Sequence, residues 1–364
     1  MKLTKLQLEN FRNYLSYGYK FPDDKNIIVL VGENGRGKTN LLEAIYLLSI
    51  GRSFRTFAHD DLIKWEEQHL RCKGDISADN EETSLEVFYT NTPAKKKNFK
   101  KNDVNLKNSE FVGSLLTVLF HPEDLNMLYL GPSYRRKYMD ILLSQVDREY
   151  LVNLTQYRKT LKQRNALLTE IRNQKFKNQN IDHFLEDLDT WDETIANFGS
   201  IIIKKRERLI KYLKENLQKI YQSISGHKEN IKIEYKCNVS ENYKDKLSQK
   251  RDHDIRRAVT SIGPHRDDIK FYINKKEINS TASRGEYRSL LLAIKLAEIN
   301  YIKEKTKLNP ILLLDDVFSE LDRKRQSHLL KSIKDCQAII TTTNSKDIEK
   351  LSKESSKIGF VKIE

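Results

Sequence analysis

Only 3 of the 364 residues are cysteine: Cys72, Cys237 and Cys336. Scattered this way, they offer neither the paired spacing of a zinc site nor a disulfide framework. Long apolar runs are also missing. No stretch approaches the roughly 20 residues that span a bilayer. The N-terminal "MKLTKLQLENFRNY" alternates like a strand and lacks the apolar core of a signal peptide. No fixed-period repeat or low-complexity tract occurs. These absences predict a soluble, cytoplasmic protein with no membrane partner. What the chain has in excess is positive charge: 65 Lys+Arg against 51 Asp+Glu, a net +14. Such a balance suggests a polyanionic partner, nucleic acid first. An AT-biased genome, which favours Lys codons, accounts for the same excess, so charge alone leaves both readings open.

The length suits one large or two ordinary domains. "NIIVLV" (26–31) is a continuous apolar run, as in a strand buried on both faces. It runs into "GENGRGKT" and then "NLLEAIYLLSI", a helical pattern. Strand, Gly-rich turn and helix open an α/β unit. "TSLEVFYT" (83–90) and "SLLTVLF" (114–120) read as further strands, and 91–110, with "PAKKKNFKKN", as a basic loop or hairpin. From Arg148 to Gly226 no strand-like run occurs. Ile195, Phe198, Ile202, Leu209, Leu213, Leu217 and Ile220 step by threes and fours, with one gap at Arg206. Tyr150, Leu154, Tyr157, Leu161, Leu168 and Ile171 make a similar seam upstream. The polar "RNQKFKNQN" (172–180) joins the two, which predicts an antiparallel helical hairpin. Strand signals return at "IKIEYK" (231–236) and "IKFYI" (269–273). The expected fold is α/β: residues 1–120 and 230–364 form one domain, and 121–229 an inserted helical arm.

Gly32, Glu33, Asn34, Gly35, Arg36, Gly37, Lys38 and Thr39 fit G-x-x-x-x-G-K-[ST] without error. Glycines there let backbone N–H groups curl around phosphate oxygens, and the following helix adds its positive dipole end. Lys38 is expected to reach the β and γ phosphates of ATP, and the Thr39 hydroxyl to hold Mg²⁺. Asn34 is a better contact candidate than Arg36, and Asn40 follows the loop directly. The Mg²⁺ site needs a carboxylate on a second strand. "PILLLDDVFSELD" supplies Asp315 and Asp316 at the end of an apolar strand, the edge where ligands gather in a parallel sheet. Asp315 is expected to orient the metal through water, and Asp316 to polarise the attacking water.

"SRGE" (283–286) opens an apolar helix with small, polar and charged groups. Serine, glycine and a helix N-terminus make an anion receptor. One triphosphate needs one cradle, so Ser283 and Gly285 are expected to serve a second copy: two subunits head to tail, ATP between them, hydrolysis releasing the dimer. The plainer alternative is that Ser283 only N-caps its helix.

Ser283-Arg284-Gly285-Glu286 resembles the signature motif of ABC-type ATPases, and "LLLDD" with "SELD" resembles their Walker B and D-loop, which implies a role in trans for Asp322. The wide separation of Gly32 and Ser283 is similar to the SMC-like branch. "LENFRNY", "LLSIGRSFRT", "FHPEDLNMLYLGPSYRRKYMD", "GPHRDD", "SRGEYRS" and "LLLDDVFSELD" together resemble the RecF family of bacterial recombination mediators. The resemblance implies an ABC/SMC-like P-loop ATPase head with an inserted helical lobe. It also implies an ATP-dependent homodimer that clamps double-stranded DNA beside single-stranded gaps and, through RecR and often RecO, helps load RecA. Arg12 is implied near the nucleotide, Ser53 and Arg55 in a loop coupling ATP to the partner subunit, and Thr343 where other ABC proteins carry histidine. A hydroxyl is the weaker γ-phosphate sensor, so slow, DNA-stimulated hydrolysis is expected.

Lys95, Lys96, Lys97, Lys100 and Lys101, and Lys204, Lys205, Arg206 and Arg208, are the candidate phosphate neutralisers on DNA; a solvated lysine face is the alternative. Arg135 and Arg136 pair with phosphates or with acidic neighbours such as Asp140. "GPHRDD" has too few ligands for a metal and reads as a salt-bridged loop. Other function classes stay open at this point: an SMC-like ATPase coupled to a nuclease or structural partner and, disfavoured by the insert, a transporter motor.

Overall fold

The computed structural model describes residues 1–79, 81–226, 228–239, 242–278, 282–343 and 357–364. The chain forms two compact units: Met1–Leu125 with Lys219–Lys228 and Ala282–Glu364, and Asn126–Gln218 with Glu229–Thr281. Among the described residues no helix is long and apolar enough to cross a membrane.

The first unit opens with the hairpin β1 (Lys2–Phe11) and β2 (Tyr14–Lys20), then β3 (Ile27–Val31) and α1 (Lys38–Ile50). The strands β4 (His69–Ala78), β5 (Glu81–Thr90), β6 (Lys96–Lys101) and β7 (Val104–Leu106) follow, then α2 (Asn108–Phe111) and β8 (Thr117–Phe120). The second unit holds α3 (Asn126–Tyr129), α4 (Pro132–Val146), α5 (Arg148–Phe176), most of α6 (Asp182–Ser225), β9 (Ile231–Lys236), α7 (Tyr243–Gln249), α8 (Arg251–Arg257), β10 (Asp268–Ile273) and β11 (Lys276–Glu277). The chain then completes the first unit with α9 (Arg284–Thr306), β12 (Ile311–Asp315), α10 (Val317–Glu320), α11 (Arg323–Ser332), β13 (Ala338–Thr342) and β14 (Ile358–Lys362).

Apolar runs without alternation become the parallel sheet β14-β3-β13-β12-β8, and alternating segments the antiparallel sheet β2-β1-β4-β5-β6-β7. This is the division expected when one sheet is covered on both faces and the other on one. Helix α1 is apolar nearly all round, from Leu41 to Ile50, because it touches β1, β4 and β5 of one sheet and β8, β12 and β13 of the other. The basic 91–110 stretch folds into β6 and β7, with Phe99 turned into the core.

In the second unit β9 pairs antiparallel with β10, and β10 with β11. The seam of α6 is continuous where its apolar pattern breaks. Arg206, 2% exposed, donates to Asp140 (2.8 Å), Asp267 (3.1 Å) and the Pro264 carbonyl (2.6 Å). Arg164 in α5 plays the same part, bonded to Asp192 at 2.6 Å and Asp254 at 3.0 Å. Beyond it the hairpin packs Leu168, Ile171 and Leu188 with Ile255. The "GPHRDD" segment is the salt-bridged loop. Asp267 takes Arg206, and Asp268 takes buried Arg135 in a two-pronged pair at 2.5 and 3.0 Å. Arg136 donates to the Asp267 carbonyl. Arg135 is thus committed to Asp268, and Asp140 is held by Arg206, Arg158 and Tyr150.

Candidate phosphate-binding site

β3 delivers the chain to Gly32 at the C-terminal edge of the parallel sheet. Gly35 and Gly37 have φ of +83° and +101°, a left-handed conformation that costs glycine little. At Gly37 a Cβ would lie 2.6 Å from Asn13 Nδ2 and 2.7 Å from the Tyr14 hydroxyl, so any larger residue would have to displace those side-chain ends as well as adopt the left-handed backbone. The loop then feeds α1 at Lys38. The amides of its first turn have no partner inside the helix, which makes an anion-receptive end. Glu33, Asn34, Gly35 and Arg36 line the exposed rim, where Arg36 pairs with Glu33 at 3.0 Å. Lys38 is buried, and its Nζ donates to the carbonyls of Gly32 (2.7 Å) and Glu33 (2.8 Å). Burial lowers its pKa, while Asp316 and Asp315 pull it back up.

Thr39 Oγ1 donates to Asp315 Oδ1 at 2.8 Å. Two distant motifs therefore meet at one oxygen, because β12 ends level with the loop. Thr341, buried at the end of β13, donates to the same Asp315 oxygen at 2.8 Å and accepts from the Asp316 N–H at 2.9 Å. His121, just past β8, brings Nε2 to 3.6 Å from Asp315 Oδ2. A hydroxyl and a carboxylate are hard oxygen donors of the kind Mg²⁺ takes, so Thr39 and Asp315 fit that ion. Asp316 is exposed and held at φ +50° as the chain turns into α10, a costly conformation for a non-glycine residue that is frequent at functional sites. Thr343 lies exposed just past β13.

Around the base of α1 runs a polar belt that the sequence did not disclose. Glu43 is fully buried and takes both prongs of Arg12 at 2.7 and 2.8 Å, the Ser53 hydroxyl, and Arg55 at 3.5 Å. Arg55 also donates to Asn40, and Asn40 to Asn13. Arg12, expected at the nucleotide, is here committed to Glu43. An acidic residue on a helix that is apolar nearly all round was the available signal.

Ser283 caps α9. Its hydroxyl accepts from Glu286 N–H at 3.3 Å, and the Glu286 carboxylate accepts from Ser283 N–H at 2.6 Å. Arg325, not foreseen, ties this turn to the next motif. It donates to Gly285 O (3.2 Å) and Ser289 Oγ (2.7 Å) and pairs with Asp322, the cap of α11. Asp322 is held below the usual carboxylate range, first by the Arg325 backbone N–H and also by its guanidinium.

Three candidate DNA cations are corrected. Arg206 is buried in its ion pairs, so no phosphate reaches it. Lys205 is held by Asp147 and Glu149 at 2.6 and 2.7 Å. Lys97 turns inward to the Gly51 carbonyl and His59; burial, aided by Arg52, pushes its pKa down to about 7. Lys95 pairs with Asp60 at 2.5 Å, and Lys100 lies 3.4 Å from Glu86. Lys96, Lys101, Lys204 and Arg208 are exposed.

With this geometry in place, the resemblances are specific. The family described as "RecF/RecN/SMC N terminal domain" matches residues 2–362. The chain is 39% identical to the DNA replication and repair protein RecF of Clostridium tetani, over 98% of this chain and 97% of that protein. It is also 39% identical to that of Lactococcus lactis subsp. lactis, over 96% and 95%. A solved structure of the recombination mediator protein RecF-ATPrS in the RecFOR pathway superposes with a TM-score of 0.87 at 34% identity, covering 100% of this chain and 96% of that one. The Smc head domain of Pyrococcus furiosus, at TM-score 0.51 and 17% identity, covers 95% of this chain and 91% of that one and shares the fold alone.

Proposed function

The chain belongs to the RecF family of DNA replication and repair proteins, and from that premise we propose that it is an ATP-switched, DNA-clamping recombination mediator. ATP binds in the loop Gly32–Thr39, its phosphates on the loop amides and on Lys38, which exchanges the Gly32 and Glu33 carbonyls for phosphate oxygens. Mg²⁺, held by Thr39 and Asp315, neutralises phosphate charge when bound. Thr341 keeps Asp315 oriented and fixes the backbone of Asp316, whose carboxylate polarises the attacking water. Thr343 serves as a weak γ-phosphate sensor, and hydrolysis is slow and DNA-stimulated.

A second copy closes the site with Ser283, Gly285 and Asp322. Arg325 ties the first turn of α9 to Asp322 within its own subunit, so the capping box and a role in trans are compatible. The ATP-bound homodimer clamps double-stranded DNA beside a gap and, with RecR and RecO, promotes RecA loading. The likeness to solved structures described as RecF-ATP and RecF-ATPrS in the RecFOR pathway supports the nucleotide-binding part of this reading. The observation that carries this reading is the 2.8 Å bond between Thr39 and Asp315, which brings the loop and the acidic strand end to one point.

Sedimentation velocity with and without ATP and gapped duplex tests it. The wild type should dimerise only with ATP, and Ser283→Arg should bind ATP yet remain monomeric. A Ser283→Arg protein that still dimerises with ATP rules out the trans cradle.

A further inference from the structure

β2 is the outermost strand of the antiparallel sheet, and its free edge is unprotected. Phe21 N–H donates to Thr4 O at 2.9 Å, which sets the phase of the β1–β2 ladder. The backbone groups of Tyr17 and Tyr19 turn toward β1, and those of Ser16, Gly18 and Lys20 turn away. Among the described residues, nothing bonds to these outward amides and carbonyls. All three residues are exposed, and a Cβ built on Gly18 meets nothing within 4 Å. Sheets usually guard a long edge with proline, a bulge, inward charge or brevity. The opposite edge, β7, has three residues. β2 has seven, with no proline and one charge, at its end.

The two faces of β2 specify what fits. Tyr17 and Tyr19 stand opposite the buried Leu8 and Leu6. With Leu15, 58% exposed, they carry the apolar inner face of the sheet out to its rim. On the other face Lys5 and Lys20 are directly opposed in a non-hydrogen-bonded pair, where side chains approach most closely and like charges destabilise. Lys5 also stands opposite Asp75 of β4, whereas Lys20, on the edge strand, has only Lys5 opposite it.

We propose that β2 is a docking edge for an extended, acidic segment of a partner protein, added as a further strand. Alternate apolar residues of that segment cover Leu15, Tyr17 and Tyr19, and a carboxylate sits beside Lys20. The open N–H and C=O groups select a polypeptide, because strand addition needs alternating backbone donors and acceptors. Lys20, at the edge with only another lysine opposite it, selects an acidic one. A second copy of β2 meets neither need well: antiparallel self-pairing about Tyr17 sets Tyr14 against Lys20 and brings no carboxylate.

A random peptide display library panned on the full chain, with Gly18→Pro as counter-target, tests this. Proline there removes one outward N–H and leaves the β1 ladder intact. Enriched peptides should alternate apolar and polar residues and carry an acidic residue. Synthesised, they should bind Gly18→Pro about tenfold or more weakly, since strand addition depends on that amide. Lys20→Glu, independent of any folding defect in the proline variant, should reject the acidic peptide and accept its lysine-substituted form. Three results overturn the proposal: no enrichment against the counter-target, equal binding to all three proteins, or a nucleotide-free wild-type dimer that Gly18→Pro dissociates, which assigns the edge to a second copy.

Discussion

Single residues decide how the proposed site works. Lys38→Ala should abolish ATP binding, measured by calorimetry, because nothing else buried in the loop supplies a cation. Asp316→Asn should keep ATP bound and leave a dimer that persists in sedimentation, because the amide polarises water poorly. Thr341→Val strands the Asp316 N–H and removes one donor from Asp315. A loss of about 1–2 kcal/mol in stability is expected, together with a fall in hydrolysis rate larger than any change in ATP affinity. Wild-type turnover in that variant removes Thr341 from the site. His265 is a different case, far along the chain in the second unit. Its Nδ1 lies 2.6 Å from the Tyr157 hydroxyl and its Nε2 3.0 Å from the Thr260 carbonyl, which fixes the neutral ring. Burial, with Arg266 and Arg136 adding to it against the Thr260 carbonyl, pushes its pKa from 6.5 down to about 4. The unfolded chain therefore takes up this proton first. His265 adds no penalty above pH 6.5, and stability drains as pH falls from 6.5 toward 4. Urea midpoints at pH 7 and pH 5 should differ by the equivalent of about 2 kcal/mol, and His265→Gln should flatten that difference.

At the scale of elements, the hairpin α5–α6 was legible from its apolar steps, but α5 runs on to Phe176, into the polar stretch 172–180 read as the connection. The break at Arg206 was legible only as a gap. A buried guanidinium is stable there because Asp140 arrives from α4 and Asp267 and the Pro264 carbonyl from the loop before β10, and no local pattern encodes that convergence. Arg206→Ala should cost about 3–5 kcal/mol in urea unfolding, chiefly because Asp267 and Asp140 lose a buried cationic partner. A cost near zero would mean that water replaces the guanidinium. The strands β9 and β10 were likewise legible one by one, whereas their packing in the second unit was settled by pairing with each other across the intervening α7 and α8. The loop 51–56 and the first hairpin turn were visible as motifs, but Glu43, which joins them, carries no signature beyond being acidic on an apolar helix.

For the whole molecule, net charge predicts attraction to DNA without saying which cations take part. Lys97, Lys205 and Arg206 are withdrawn by their partners, and Lys96, Lys101, Lys204 and Arg208 stand exposed. Log affinity for duplex DNA should fall linearly with log salt, and Lys96→Glu with Lys101→Glu should shrink the slope by roughly two. A slope unchanged in that double variant moves the DNA surface elsewhere.

The sequence by itself determined the phosphate loop, the acidic strand end, the capped SRGE helix and the alternation of sheet and helix. Each is a local pattern in which neighbouring residues dictate backbone conformation. Only the tertiary structure decided that Thr341 joins the Asp315 carboxylate to the Asp316 backbone N–H, that Glu43 binds Arg12, and that four of the nine suspected DNA cations, Lys95, Lys100, Lys205 and Arg206, sit in ion pairs within the chain. Those outcomes depend on which side chains from distant segments meet in a low-dielectric interior, where a charge stays only if a partner is brought to it.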